Sequence, residues 1–292
     1  MSRTRDPLVR EFEAAVGGET IDLAATALTI AKLEYPRLDA ARHLAILDRL
    51  GDLARERVSR FSRTAHRSRI AALNGLLYED EGFAGNYSHY DDFRNSLLNS
   101  VLERHLGIPI TLALVYMEVA SHAGMDVQGV SFPGHFLMRV AEKRGAAPPG
   151  LILDPFDAGV ELDASDCRKL LARHLGSHSD EAPFDPALLR PCSRKQMLAR
   201  MLNNLKRNYL EVRSFHHARR VTDFLLALEP MGTSELRDRA LLAYHLDDFP
   251  SALRDLEDYL RLRTWKDDDD QDERQQLLDH VRGLKRRIAA LN

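Results

Sequence analysis

Apolar positions recur at helical spacing through the first seventy residues. The runs Pro7-Leu-Val-Arg-Glu-Phe-Glu-Ala-Ala-Val16 and Ile21-Asp-Leu-Ala-Ala-Thr-Ala-Leu-Thr-Ile-Ala31 predict two helices, parted by Gly17-Gly18, with Tyr35-Pro36 ending the second. A third is expected over 39–58, where Leu44, Leu47, Leu50 and Leu53 share a face. After a short predicted helix over 71–79 the pattern breaks into Gly82-Phe-Ala-Gly-Asn86 and Tyr90-Asp-Asp-Phe-Arg-Asn-Ser96, a turn-rich stretch. A helix through Leu97, Leu98, Val101 and Leu102 follows, with Asp92 or Asn95 as its cap. Gly107-Ile-Pro-Ile-Thr111 then opens a helix that is apolar around nearly its whole circumference from Leu112 to Ala120 and stops near Gly124. Such a helix belongs at the centre of a core. The period changes to that of strands at 127–130, 136–140 and 151–153, with a loop at 146–150, which makes the middle of the chain α+β.

From about Gln196 the helical period returns and repeats. Ala218 and Ala252 stand 34 residues apart, and Leu202, Leu205, Tyr209, Pro230, Leu236, Ala240 and Leu256 occupy tetratricopeptide positions. Thr222 stands where an aromatic is usual, and Arg239 where a leucine would pack. An acidic loop at 267–270 and a closing helix over 273–291 complete the module. The expected domains are therefore 1–190, with helices over 6–70 and a core over 71–165, and 191–292.

Composition narrows the partners. The 292 residues carry a formal charge of −3, so no global field draws the chain toward nucleic acid or an acidic membrane. Arg55, Arg57, Arg60, Arg63, Arg67 and Arg69 form a local basic stretch. Without interleaved aromatics it reads as a solvated helix end and connection rather than a nucleic-acid surface. No apolar run approaches the ~18 residues of a membrane span, and the first residues lack the apolar segment of a secretory signal, so a cytoplasmic protein is expected. The two cysteines, Cys167 and Cys192, have no paired spacing and suggest neither a disulfide framework nor a zinc knuckle.

Acyl transfer requires a nucleophile, an imidazole that takes its proton, and a carboxylate that orients the imidazole. His135, in Gly129-Val-Ser-Phe-Pro-Gly-His135, and Asp154, in Leu151-Ile-Leu-Asp154, sit in apolar runs that read as neighbouring strands and supply the last two. The helix start at Gly107 to Thr111 is a natural seat for the first, since unpaired amides and the helix dipole favour an anion there. It holds no cysteine. A metal role for His89 or Asp92 has little support, because their scattered spacing lacks a helical ligand pair, and no cofactor is implied. Asn74, Asn86, Tyr90, Asn95 and Ser96, with His135 and Asp154, would line a polar cleft, although the same residue types serve local turns.

The segments Leu73-Asn-Gly-Leu-Leu-Tyr-Glu79, Gly82-Phe-Ala-Gly-Asn86, Arg94-Asn-Ser96, Val101-Leu-Glu-Arg104, Gly107-Ile-Pro-Ile-Thr-Leu112, Gly129-Val-Ser-Phe-Pro-Gly-His135 and Asp154-Pro-Phe156 resemble the transglutaminase-like family with C-terminal tetratricopeptide repeats, the SirB1 or transglutaminase-core-2 family. The resemblance runs from about residue 20 to the end. It implies a papain-like core in which a Gly-x-Cys opens the central helix, a histidine starts the next strand and an Asp-Pro lies on the one after. Gly107 then matches the glycine, Ala113 a helix alanine, His135 the base and Asp154 the orienter, while Pro109 occupies the cysteine position. Proline offers neither a nucleophile nor an amide hydrogen.

Two functions are expected from this combination. One is a catalytically silent domain joined to repeats, an adaptor or regulator that binds a protein or peptide. The other is a hydrolase or acyltransferase in which Thr111 or Ser96, or Ser131 from an adjoining segment, presents a hydroxyl to His135.

Overall fold

The computed structural model describes residues 6–140, 150–176, 184–265 and 268–290, with backbone alone at 268–270. In chain order the helices are α1 (Pro7–Gly17), α2 (Leu23–Ala31), α3 (Ala40–Val58), α4 (His66–Asn74), α5 (Leu98–Arg104), α6 (Pro109–His122), α7 (Ala164–His174), α8 (Arg194–Glu211), α9 (Phe215–Leu228), α10 (Thr233–His245), α11 (Phe249–Leu262) and α12 (Asp268–Ala290). The strands are β1 (Ala84–Gly85), β2 (Leu106–Gly107), β3 (Val127–Val130), β4 (Leu137–Val140), β5 (Leu151–Asp154) and β6 (Val160–Leu162). The chain divides into two compact units, Glu19–Met201 and a second made of Met1–Gly18 with Leu202–Asn292.

In the first unit α6 is the central element. Ten of its fourteen residues are buried, from Pro109 to Ala120, as its unbroken apolar surface requires. It packs on α3 and on β3 and β4. Helices α2 and α3 start at aspartate caps, Asp22 accepting from the Ala25 amide at 2.9 Å and Asp39 from that of Arg42 at 3.2 Å. The sheet is antiparallel in the order β3-β4-β5-β6, with Met138 opposite Leu153. Val130, Phe132, Leu137 and Ile152 bury against Cys167 and Leu171 of α7. The chain is thus α+β in this unit, as its periodicity predicts.

The expected helix over 71–79 begins earlier, at His66, because Ala65 caps without a side-chain bond and so leaves no start signal. It continues as a π-helical turn over Gly75–Asp80. Its Arg69 is buried and donates to the carbonyls of Ala123 and Gly124 at 3.1 and 3.3 Å, while Arg67 makes a two-bond pair with Glu161. The basic stretch is therefore not one solvated run. Asp92 caps a 3-10 turn over Phe93–Ser96 rather than α5, which starts at Leu98 after Leu97 with no side-chain cap. Strand β6 had no expectation. The loop at 146–150 lies outside the described residues but for Gly150.

The second unit is helical. Arg239, the misfit in the repeat pattern, donates to Asp223 on α9 at 2.7 Å and to both oxygens of Asp255 on α11 at 2.7 and 2.8 Å. Thr222 is buried and satisfies its hydroxyl on the Ala218 carbonyl one turn back at 2.8 Å. Residues 268–270 are helical, since α12 starts at Asp268; Asp267 lies outside the described residues. Helix α1 groups with this unit instead of the lead-in: Phe12 stacks on Phe224 at 4.6 Å and Asp6 pairs with Arg220 at 3.0 Å. The division after residue 201 falls inside α8, not at 190.

Candidate functional site

His135 closes the turn Phe132-Pro-Gly-His135 that leads into β4, and Asp154 ends β5. Gly134 takes φ of 68°, and a side chain there would strike the His174 ring, so the turn is open only to glycine. The His135 Nε2 meets Asp154 Oδ1 and Oδ2 at 2.9 and 3.0 Å, and the carboxylate also accepts the Phe156 amide at 2.9 Å. A carboxylate in that position holds the proton on Nε2, leaving Nδ1 with its lone pair. Nδ1 has no hydrogen-bond partner among the described residues. This is the orientation a triad base needs.

Arg200, which sequence reasoning missed, holds the turn from α8. Its guanidinium donates to Ser131 Oγ at 3.0 Å and to the carbonyls of Phe132 and His135, both at 2.7 Å. An arginine in an amphipathic helix carries no local signal of such a role. Ser131 is thereby engaged with Arg200 rather than with the imidazole.

Pro109 is the first residue of α6, and Ile108 precedes it in extended conformation. Gly107 is required here, because a side chain on it would press on Thr111 Oγ1. Thr111 is buried; its Oγ1 accepts the Ile108 amide at 3.1 Å and lies 2.7 Å from the Asn95 carbonyl, to which it donates. Asn95 in turn accepts from Asn86 Nδ2 at 3.1 Å and donates to the carbonyls of His89 and Tyr90 at 2.7 and 3.2 Å. Asn86, Asn95 and Thr111 thus form one network that ties the turn-rich segment to the start of α6. Ser96 is buried and its Oγ has no hydrogen-bond partner among the described residues.

Asn74 stands apart from that network. It donates to the Gly159 carbonyl and accepts from Tyr116, both at 2.9 Å, and Tyr78 donates to the Pro155 carbonyl at 3.2 Å. Burial pushes both phenols upward, so they remain neutral donors. The amides expected to line a cleft are therefore committed to holding loops, as turn chemistry allows. Tyr90 does reach the site, its ring 5.8 Å from that of Phe156, which lies 6.3 Å from His135.

Neither thiol bonds to the imidazole. Cys167 lies in the core beneath the sheet, where burial first and then nearby carboxylates push its thiol up to about 11. Cys192, raised by burial, lies against Gly129. A thiol so raised is scarcely ionised at neutral pH and attacks poorly. Among the described residues no cluster of three or more His, Cys, Asp or Glu suits a metal ion, and no helix is long and apolar enough to cross a membrane.

A buried helix on an antiparallel sheet, with an imidazole and a carboxylate paired from adjoining strands, defines the papain-like architecture of transglutaminase-like proteins. The chain belongs to the transglutaminase-like superfamily, whose family model it matches over residues 42–203, and a tetratricopeptide repeat model matches residues 205–281. Its more particular likeness is to the UPF0162 proteins: it is 40% identical over 252 residues to one from Xylella fastidiosa, covering 85% of this chain and 86% of that relative. It is also similar to Protein SirB1 of Salmonella typhimurium, 26% identical over 210 residues and covering 72% of this chain and 75% of that protein. F-box only protein 21 of Homo sapiens is 30% identical over 189 residues, 62% of this chain and 28% of that protein.

Proposed function

We propose that this protein is a cytoplasmic adaptor or regulator that binds a protein or peptide, its transglutaminase-like domain serving as a binding surface without cysteine chemistry. One observation carries the reading: the first residue of α6 is Pro109, while the His135–Asp154 pair keeps its catalytic orientation and faces no thiol or hydroxyl among its hydrogen-bond partners. Shape is kept and the attacking group is not. The repeats add a surface suited to association, with Leu241 and Tyr244 exposed three residues apart on α10. Tetratricopeptide modules as a class bind other proteins on such faces.

The reading in which a hydroxyl attacks has less support. Thr111 directs its proton to the Asn95 carbonyl and is buried, and withdrawing it would leave that carbonyl and the Ile108 amide unpaired. The test is turnover of broad amide and ester substrates by wild type and His135→Ala, alongside recovery of protein partners with each. The adaptor predicts no turnover that depends on His135; turnover lost in that variant and in Thr111→Val overturns it.

A further inference from the structure

Phe156 is the centre of an aromatic cluster that no described residue covers with a cation, although the chain makes such contacts elsewhere. Tyr87, 69% exposed, lies 4.4 Å from the Phe156 ring and inclined by 51°, with Tyr90 and His135 set edge-on at 5.8 and 6.3 Å. Inclined rings leave faces open where a stacked pair would cover them. Phe156 itself is packed tightly, since Gly85 approaches it so closely that a methyl group on the glycine would fall 2.6 Å from the ring. In contrast Arg263 lies over Trp265 at 4.6 Å, Arg287 over Phe249 at 4.8 Å and Arg200 over Phe136 at 5.7 Å. Among the described residues no guanidinium lies over Tyr87 or Phe156.

The local charge has a sign. Burial and then the charges of Asp157 and Asp154 push the Tyr87 phenol upward, so two carboxylates bear on this end of the site. Asp157 is exposed and makes no ion pair among the described residues. Arg200 is near, yet its donors are given to three oxygens of the His135 turn. Beside the rings, His135 Nδ1 offers a lone pair, its tautomer set by Asp154. Aromatic faces, an imidazole nitrogen without a partner and nearby carboxylates together suit a planar cation with several donors. An ammonium suits them less, being a compact and strongly hydrated charge without a face to stack.

We propose that the Tyr87–Phe156 cluster beside His135 is the docking point for an arginine side chain of the partner, its guanidinium stacked on the rings and donating to His135 Nδ1 and Asp157. This rests on the protein-binding reading above and narrows it to one recognised residue.

The full chain is titrated with acetyl-arginine methylamide, the neutral isostere acetyl-citrulline methylamide and acetyl-lysine methylamide, read from the aromatic NMR signals of Tyr87, Phe156 and His135. The arginine compound is expected to bind about threefold or more tighter than either comparator. Tyr87→Ala should weaken it about threefold or more, and Tyr87→Phe, which keeps the ring, should not. Tyr87 is exposed, so neither variant threatens the fold. Equal binding of arginine and citrulline, equal binding of lysine, or indifference to Tyr87→Ala overturns the proposal. Selection of displayed random peptides on the same protein separates the two levels. Arginine-bearing peptides lost with Tyr87→Ala support the proposal; peptides captured without such dependence overturn it and leave the protein-binding reading standing; failure to capture any peptide, with no shifts from the arginine compound, overturns both.

Discussion

The transglutaminase-like core and the helical repeats bury polar groups by different rules. In the core the buried groups are mainly neutral and bind backbone: Asn95 on the carbonyls of His89 and Tyr90, Asn74 on that of Gly159, Thr111 on that of Asn95. In the repeats Thr222 follows the same rule, but the contacts between helices are half-buried ion pairs: Arg239 with Asp223 and Asp255, Lys206 with Asp238, Arg219 with Asp248. The difference follows from what each must fix. Irregular segments have unpaired amides and carbonyls that only a side chain can satisfy. Helices satisfy their own backbone, so polar contacts between them serve to set register and spacing.

If that is right, the core network is irreplaceable and the charged one is not. The largest effect is expected at Asn95, which is fully buried. Asn95→Ala takes a donor from the carbonyls of His89 and Tyr90 and removes the acceptor of the Asn86 amide, and should cost about 3 kcal/mol or more of core stability. Two units need not unfold together, so hydrogen exchange resolved to residues 82–112 is the measurement. A cost below about 1 kcal/mol would sink the distinction.

Next comes Arg239. Arg239→Ala strands Asp255, whose side chain is 9% exposed, and should cost about 2 kcal/mol of the repeat unit. Joining Arg239→Leu with Asp223→Asn and Asp255→Asn should return stability to within about 1 kcal/mol of wild type, because leucine fills the position the repeat pattern assigns it. Chemical denaturation followed at Trp265, in the repeat unit, reads both. Failure of the triple variant to recover would mean that the charges do more than set register.

Acid divides the units by sign. Arg49 holds the Glu81 carboxyl below its ordinary 4.5, so the folded core binds that proton less readily than the unfolded chain. Its contribution is full above about pH 4.5 and is lost as pH falls through the depressed value. Burial raises Asp223 above its ordinary 3.8 in spite of Arg239, so the folded repeats take up this proton first. Between 3.8 and the raised value, acidification therefore favours their folding. Hydrogen exchange across that window should show Asp223→Asn removing the relief from the repeats, and Glu81→Gln removing part of the loss from the core. Identical responses in the two variants would erase the contrast.

How much of this could be read beforehand depended on whether a signal was local. Helix α6 and strands β3 to β5 were legible because their apolar runs are long or bounded by glycine and proline. That His135 and Asp154 would meet was legible because each adjoins an apolar strand run. Strand β6 was not, since Val160-Glu-Leu162 is short and mostly exposed, following a turn with positive φ at Ala158 and Gly159. The amides of Asn74, Asn86 and Asn95 look alike in sequence whether they line a cleft or hold a loop, and only their partners decide. Arg239 was visible as an exception to the repeat, but its reason lay sixteen residues away on either side. The grouping of α1 with the repeats has the same cause: an amphipathic helix declares a face, not the element that covers it.

The smallest effect tests whether chemistry or burial makes the difference between the units. Arg67 and Glu161 in the core are joined by two bonds at 2.8 and 2.9 Å, with side chains 74% and 39% exposed; Lys285 and Glu257 in the repeats meet at 2.8 Å, 57% and 45% exposed. Exposed pairs gain little in water and give up side-chain freedom, so each double-mutant cycle should yield about 0.5 kcal/mol or less, smaller still in high salt. The two units should therefore agree at their surfaces while disagreeing inside. A coupling above about 1 kcal/mol for Lys285 and Glu257, with none for Arg67 and Glu161, would show that the repeats draw on charge for helix register even where water reaches it, and the contrast would then belong to the architecture instead of to depth.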